Sequence, residues 1–301
     1  MTPVANHAKA SAPASALIAS MPFVFVILWS TGFVVAKFGL PYAPPLTFLL
    51  LRFAGVLLVL GPLVLLMRAP WPTGRVGHIA LAGVLVQAGY LAGVWCAIKL
   101  GMPAGLSALI VGMQPILTAF AAPLIGERVH GRQWVGLAFG LGGVGLVVAN
   151  KISLIGLTWP SIALCLMALV SITIGTLYQK RFCPHFDLRS GTLIQFAASA
   201  LVLLPFAFAF EQLTPALQTV QWTPRFIGAL LWAILALSIG AIFLLFALIR
   251  KSAATSVTSL LYLTPPTTAL MAWAMFGEAF SLIGMAGMLL AVIGVYFVVK
   301  K

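Results

Sequence analysis

Side chains able to attack carbonyls, exchange protons or ligate metals are few in this sequence and stand apart from one another. The carboxylates are Glu127, Asp187, Glu211 and Glu278, the imidazoles His7, His78, His130 and His185, and the thiols Cys96, Cys165 and Cys183. No two acids share an apolar stretch, and no pair of thiols has C-x-x-C spacing. Hydrolysis or group transfer would need a nucleophile with its base, paired carboxylates or a metal cluster. The residues offer none of these, so no enzyme activity, cofactor, metal or disulfide is expected.

A different chemistry is available to the polar residues buried within apolar runs. Trp29-Ser30-Thr31-Gly32, Gln87 with Tyr90, Gln114-Pro115, Ser171 with Thr173 and Thr176, Ser238, and Tyr262 with Thr264-Pro265-Pro266 all fall near the middle of long hydrophobic stretches. In hydrocarbon an unpartnered polar group is costly, so such placement marks a lined cavity. The predicted substrate-binding set is therefore Trp29, Ser30, Thr31, Gln87, Tyr90, Gln114, Ser171, Thr173, Ser238, Tyr262 and Thr264. Hydroxyls and amides with aromatic rings suit a small neutral or zwitterionic ligand carrying an apolar or aromatic portion. Pro115, Pro265 and Pro266 each remove a backbone donor and disturb the preceding turn, which predicts hinges there. A broken helix also offers free carbonyls to an ammonium and a positive half-helix N-terminus to a carboxylate.

Three charged residues have two readings each. Arg52 lies about two turns into its run; it either snorkels outward or bonds carbonyls, or it meets a substrate carboxylate. Glu127 and Glu278 close their runs, where they either pair with cations and cap helices or act as gates. No acid stands at mid-depth, which argues against a carboxylate-gated proton exchanger and leaves a facilitator as the simpler scheme. A phosphate-bearing ligand would need convergent cations, and Arg52 is alone.

These residues must be positioned by membrane-spanning helices. The chain is 62% hydrophobic and 7% charged, too little charge for a water-facing surface. Runs of about 20 apolar residues cross a hydrocarbon core of roughly 30 Å. They lie at 18–39, 45–67, 77–99, 103–125, 132–150, 155–179, 188–210, 226–249, 253–276 and 280–299. The fold class expected is all-α, with ten transmembrane helices around a central cavity. Residues 1–17, rich in Ala, Ser and Pro, read as a disordered cytoplasmic tail. The apolar run that follows is too long for a cleaved signal.

The sequence is also written twice. Gly126-Glu127 aligns with Gly277-Glu278, and the same offset places Pro115 on Pro266, Gly136 on Gly287 and Gly143 on Gly294. Earlier in each half Gly32 falls on Gly175, Lys37 on Lys180, Phe53 on Phe196 and Pro62 on Pro205. The repeats are 18–150 and 151–301. Five spans is an odd number, so the second copy enters the bilayer from the opposite side, the arrangement that exposes one site alternately to two faces. Gly136, Gly140 and Gly143, with Gly284, Gly287 and Gly294, put small residues on one face of spans 5 and 10 for close packing.

The formal charge of +13 is distributed as a topology signal and does not suggest nucleic acid. With the N-terminus inside, Lys9, Arg68, Arg75, Arg128, Arg132, Lys180, Arg181, Arg189, Arg250, Lys251, Lys300 and Lys301 are cytoplasmic. Only Lys37, Lys99, Lys151 and Arg225 lie outside. That bias sets both termini in the cytoplasm. The partners expected are membrane lipid and a small-molecule substrate, with a monomer as the oligomeric state.

Two five-span repeats, Trp29-Ser30-Thr31-Gly32-Phe33 in the first span, and Gly126-Glu127 and Gly277-Glu278 closing the fourth and ninth resemble the drug/metabolite transporter superfamily, more narrowly its EamA-type members. The resemblance covers about residues 18–300. It implies a basket of helices in a bacterial inner membrane that exports small metabolites, often amino acids, with multidrug or lipophilic-cation efflux as the alternative. Its first-span pattern maps onto Trp29 to Thr31 and its end-of-span glutamate onto Glu127 and Glu278. Several relatives place an acid deeper in the membrane, and this chain does not. A fluorescent protein fused after Lys301 should fluoresce and alkaline phosphatase there should be silent; active phosphatase would invert the topology.

Overall fold

The structure, a computed structural model, describes residues 12–102, 104–149, 157–276 and 281–300. Among these residues every regular element is helical. Helix α1 (Ala12–Gly39) is followed by α2 (Pro45–Leu66) and α3 (Val76–Lys99). The broken helix α4 runs as Ala104–Val111, Gln114–Ala121 and a 3-10 turn Ala122–Ile125. Then come α5 (Gly131–Ala149), α6 (Trp159–Phe182) and α7 (Leu188–Glu211). After the short helix Leu213–Thr219, the chain continues as α8 (Pro224–Lys251). It ends with α9, built from Ala254–Ser259, a 3-10 turn Leu260–Leu263 and Thr264–Phe276, and α10 (Leu282–Val299).

Six of these helices, α2, α3, α6, α7, α8 and α10, are long and apolar enough to cross a membrane, and shorter apolar helices cover Ser20–Gly32 and Leu109–Ile125. Helix α1 begins at Ala12, inside the stretch 1–17 that composition reads as tail, and it runs on through Pro22. The fourth and ninth expected spans are not single long helices because each is interrupted just before its prolines. Pro115 sits in the first turn of Gln114–Ala121, where its missing N–H costs nothing. Pro265 and Pro266 likewise open Thr264–Phe276 after the 3-10 turn.

The outer surface is apolar. Leu58, Leu66, Leu201, Phe210 and Leu282 are all more than two-thirds exposed, which is tolerable only against lipid. Trp71, Trp159 and Trp222 stand exposed near helix ends, the level of a bilayer interface.

Carboxylates and hydroxyls terminate the helices. Glu211 accepts from the Leu46 and Thr47 amides at 2.8 Å and from Thr47 Oγ1, capping the donor-rich start of α2. Asp187 accepts from the Arg189 and Ser190 amides at the start of α7. Arg189 also donates to it from Nε and Nη2, and this holds the Asp187 carboxyl below its ordinary range. Thr158, Thr223 and Ser281 cap α6, α8 and α10. Gly126 takes a left-handed φ of 80°. The Glu127 amide then returns to the Ala122 carbonyl, so α4 ends sharply and delivers Glu127.

Packing is closest between α5 and α10. A Cβ added at Gly136 would stand 2.6 Å from the Gly294 carbonyl, and one at Gly143 would stand 2.6 Å from the Gly287 carbonyl. These two contacts exchange when the sequence repeat is applied. The same holds for Gly175 against Val86 and Gly32 against Leu237. Phe53 of α2 meets its own repeat-mate Phe196 of α7 edge-on, ring centroids 5.3 Å apart. Replacing Gly143 with leucine is expected to destabilise the protein by about 3 kcal/mol, since backbone leaves the side chain no room; thermal unfolding in detergent checks this. Asp187→Ala should cost about 1 kcal/mol at pH 7. A depressed carboxyl stabilises above its unfolded pKa, so the wild type should lose the same increment only as pH falls through the lowered value.

Candidate functional site

Two helices are distorted at positions related by the repeat. Helix α3 widens to a π-helical stretch over Val84–Gly89, and α8 does so over Ala233–Ala241. A π turn shifts the hydrogen-bond ladder and re-aims side chains, which is why such turns gather at functional sites. Gln87 and its repeat-mate Ser238 lie within these two stretches. Ser171 of α6 donates to the Leu85 carbonyl at 2.8 Å, providing a partner where the ladder is disturbed. Gly89 permits the approach, as a Cβ there would lie 2.2 Å from Ser171 Oγ.

Between these stretches is a narrow, partly open cavity. Trp29, Gly32 and Ala36 of α1, Arg52 of α2, and Val86, Gln87, Tyr90, Leu91, Val94, Trp95 and Ile98 of α3 line it, with Leu237 and Ile242 of α8. Its wall is mainly hydrocarbon and aromatic ring. Trp29 and Tyr90 lie nearly parallel with centroids 6.4 Å apart, and Trp95 stacks on Phe48 at 4.8 Å. Ala36, Trp95 and Ile98 place the cavity toward the end of the helices that carries Tyr42 and Gln221, which are joined by a backbone hydrogen bond.

Arg52 is 4% exposed. Its Nε donates to Ser238 Oγ at 2.6 Å, across from α2 to α8. Among the described residues no carboxylate lines the cavity. Gln87, 1% exposed, has an Nε2 without a protein hydrogen-bond partner. The described wall thus carries a buried cation and an unused donor.

The other expected site residues are placed elsewhere. Ser30 donates to the Val26 and Thr264 carbonyls where α1 crosses α9. Thr31 turns away from the cavity, donating to the Leu28 carbonyl and accepting from Trp232 Nε1. Gln114 Nε2 donates to Thr176 Oγ1, and Thr173 bonds back to the Leu169 carbonyl. Tyr262 is fully buried with its ring over Gly140, and its hydroxyl and Thr264 Oγ1 are unpartnered. The structure therefore gathers Trp29, Gln87, Tyr90 and Arg52 on one cavity, with Ser238 behind Arg52. It sets Ser30, Thr31, Gln114, Ser171, Tyr262 and Thr264 at helix crossings, and Thr173 bonds within its own helix. Among the described residues, the cavity wall is drawn from α1, α2, α3 and α8. Apolar wall residues such as Leu237 and Val94 carry no sequence signal that separates them from core.

The opposite, cation-rich end is closed. Both Glu127 oxygens accept from the Ala254 amide, at 2.9 and 3.1 Å, capping α9. Lys180 Nζ lies 3.9 Å from Glu127 and donates to the Ile249 and Ser252 carbonyls at 2.6 and 2.5 Å. Arg250 donates to the Phe186 carbonyl and lies over the Phe186 ring. Helices α4, α6, α8 and α9 are tied together there. Glu278, the repeat-mate of Glu127, lies outside the described residues. Just beyond α6, burial pushes the Cys183 thiol up to about 11, so it stays protonated and unreactive at neutral pH.

A set of apolar helices packed around such a cavity is an arrangement that membrane transporters use. The chain belongs to the EamA-like transporter family, whose model matches residues 16–149 and again 159–300, and so to the drug/metabolite transporter superfamily. It is 30% identical over 288 residues to a Salmonella typhimurium protein named "Probable amino-acid metabolite efflux pump", covering 92% of each chain. It is 29% identical to the Escherichia coli K12 "Uncharacterized inner membrane transporter YedA", covering 86% of this chain and 83% of that one. A solved structure described only as "Crystal structure of protein" superposes with a TM-score of 0.76 at 19% identity, over 95% of this chain and 96% of that one. At that identity the likeness concerns the fold. Glu127→Ala is expected to lower stability by about 1 kcal/mol, because it uncaps α9 and strands Lys180; a denaturation midpoint in detergent equal to wild type would refute the capping role.

Proposed function

We propose that this protein exports small neutral or zwitterionic metabolites, principally aromatic and large neutral amino acids, from the bacterial cytoplasm by alternating access. The observation that carries this reading is the cavity at the π-distorted middle of α3 and α8, walled by Trp29, Tyr90 and Trp95 with polar points at Arg52 and Gln87. Apolar rings suit an aromatic or branched side chain, and a few convergent polar groups fix its orientation. The name of the Salmonella relative favours the same substrate class, and that of YedA favours the inner membrane.

The mechanism follows from the repeat. Ten spans in two inverted repeats, 18–150 and 151–301, account for the contacts that exchange between halves, as do both termini in the cytoplasm. In the conformation described, the cavity opens toward the cation-poor end, while the web around Glu127 and Lys180 seals the cation-rich end. With the cation-rich end cytoplasmic, this is the outward-open state. Return requires the web to part while the halves rock about the α5–α10 glycine seam, with Pro115, Pro265 and Pro266 as hinges. Among the described residues no carboxylate lines the cavity, which favours an uncoupled facilitator over a proton exchanger. The same lack of an acid disfavours efflux of lipophilic cations, the alternative activity.

In proteoliposomes, labelled phenylalanine or leucine should show counterflow that is indifferent to an imposed pH gradient. Trp29→Ala and Gln87→Ala should each reduce it about tenfold or more at matched reconstitution. Gradient-driven movement of a lipophilic cation, with no amino-acid flux, would overturn the reading.

A further inference from the structure

The charge inventory of the cavity is one-sided. Arg52 and Gln87 both line it, both are more than nine-tenths buried, and Gln87 Nε2 has no protein partner. Ser238 Oγ accepts from Arg52 Nε, which fixes the guanidinium by one edge; among the described residues this is its one hydrogen bond. The carboxylates that could neutralise it are engaged at helix ends. Glu211 holds the start of α2, Asp187 the start of α7 and Glu127 the start of α9. Glu278 lies outside the described residues, and its place in the sequence is at the close of a span, away from mid-depth.

We propose that Arg52 and Gln87 form a carboxylate subsite, so that one negative charge on the ligand is required and an ammonium group is dispensable. A guanidinium presents a planar fork that takes a carboxylate on two bonds, and Gln87 Nε2 adds a neutral donor. Among the described residues the polar groups of the cavity wall are these donors, the Tyr90 hydroxyl and the indole N–H groups of Trp29 and Trp95, none of them anionic, so an ammonium finds no anionic partner. Even while the cavity is open, it leaves only 4% of Arg52 exposed. Once it closes, a bare cation would be stranded in low dielectric, whereas a bound monoanion neutralises it. Closure is therefore favoured around a monocarboxylate and disfavoured around an empty or cation-filled site. The ligand class this selects is the aromatic or branched-chain monocarboxylate, within which an amino acid is one case and its deaminated analogue another.

This inference rests on the reading of the cavity as the substrate site, and the test separates the two. Three ligands of one shape, L-phenylalanine, 3-phenylpropionate and 2-phenylethylamine, are titrated against the purified full chain in detergent, with ligand-dependent thermal stabilisation as the readout. Phenylalanine and 3-phenylpropionate are expected to stabilise with apparent affinities within about threefold of each other, and phenylethylamine not to. Arg52→Gln should weaken both carboxylates about tenfold or more, and Arg52→Lys should restore part of the loss. Stabilisation by phenylethylamine equal to that by phenylalanine, or failure of 3-phenylpropionate to stabilise, overturns the proposal, and either is read on the wild type alone if Arg52→Gln does not fold. Trp29→Ala distinguishes the levels. If it weakens binding while Arg52→Gln does not, the charge assignment fails alone; if neither changes the binding of any ligand, the cavity is not the site.

Discussion

A chain in hydrocarbon must satisfy its own backbone amides and carbonyls, and most of this structure follows from that constraint. Helices meet it internally except at their ends, where four donors and four acceptors are left over. The scarce carboxylates are placed there: Glu127, Asp187 and Glu211 each receive amides at the start of a helix. In a membrane protein with four acids in all, this use has a functional consequence, because carboxylates bound to helix ends do not reach a ligand in the cavity.

Departures from regular helix are concentrated where the chain is repeated and turned inward. The π stretches in α3 and α8 and the breaks in α4 and α9 fall at matching positions of the two halves. Each disturbs the ladder, and each is near a side chain that supplies polar contact, as Ser171 does for Leu85. The regular helices α5 and α10 do the opposite work. Their glycines bring two backbones into direct contact, and close van der Waals packing takes the place of a hydrophobic drive that lipid does not provide.

The halves share a scaffold but not a centre. Repeat positions that hold Arg52 and Ser238 in one relation hold Gln195 and Gln87 in the other. Arg52 bonds Ser238, whereas Gln195 donates to Gln179 at 2.8 Å. The pseudo-equivalent arrangement therefore carries a cation in one half only. An asymmetric ligand can be read by a site built from two copies of one gene segment because the copies diverged at these few positions.

The sequence by itself determined the six long apolar helices to within a few residues, the glycine seam of α5 and α10, the interruptions at Pro115 and Pro265, and the family. Hydrophobic runs, small-residue spacing and proline act locally, so composition is enough to show them. Tertiary structure decided which polar residues meet. Ser30, Thr31 and Gln114 have the mid-depth placement of Trp29, Gln87 and Tyr90, yet their groups are engaged at helix crossings, and Thr173 bonds back to its own helix. Rotation about the helix axis, shifted further by a π turn, sets the direction of a side chain, and no one-dimensional pattern fixes it when both faces are apolar. Arg52 shows the same limit. Its sequence position allowed an outward reach or an inward one, and the hydroxyl of Ser238, 186 residues away, turned it inward.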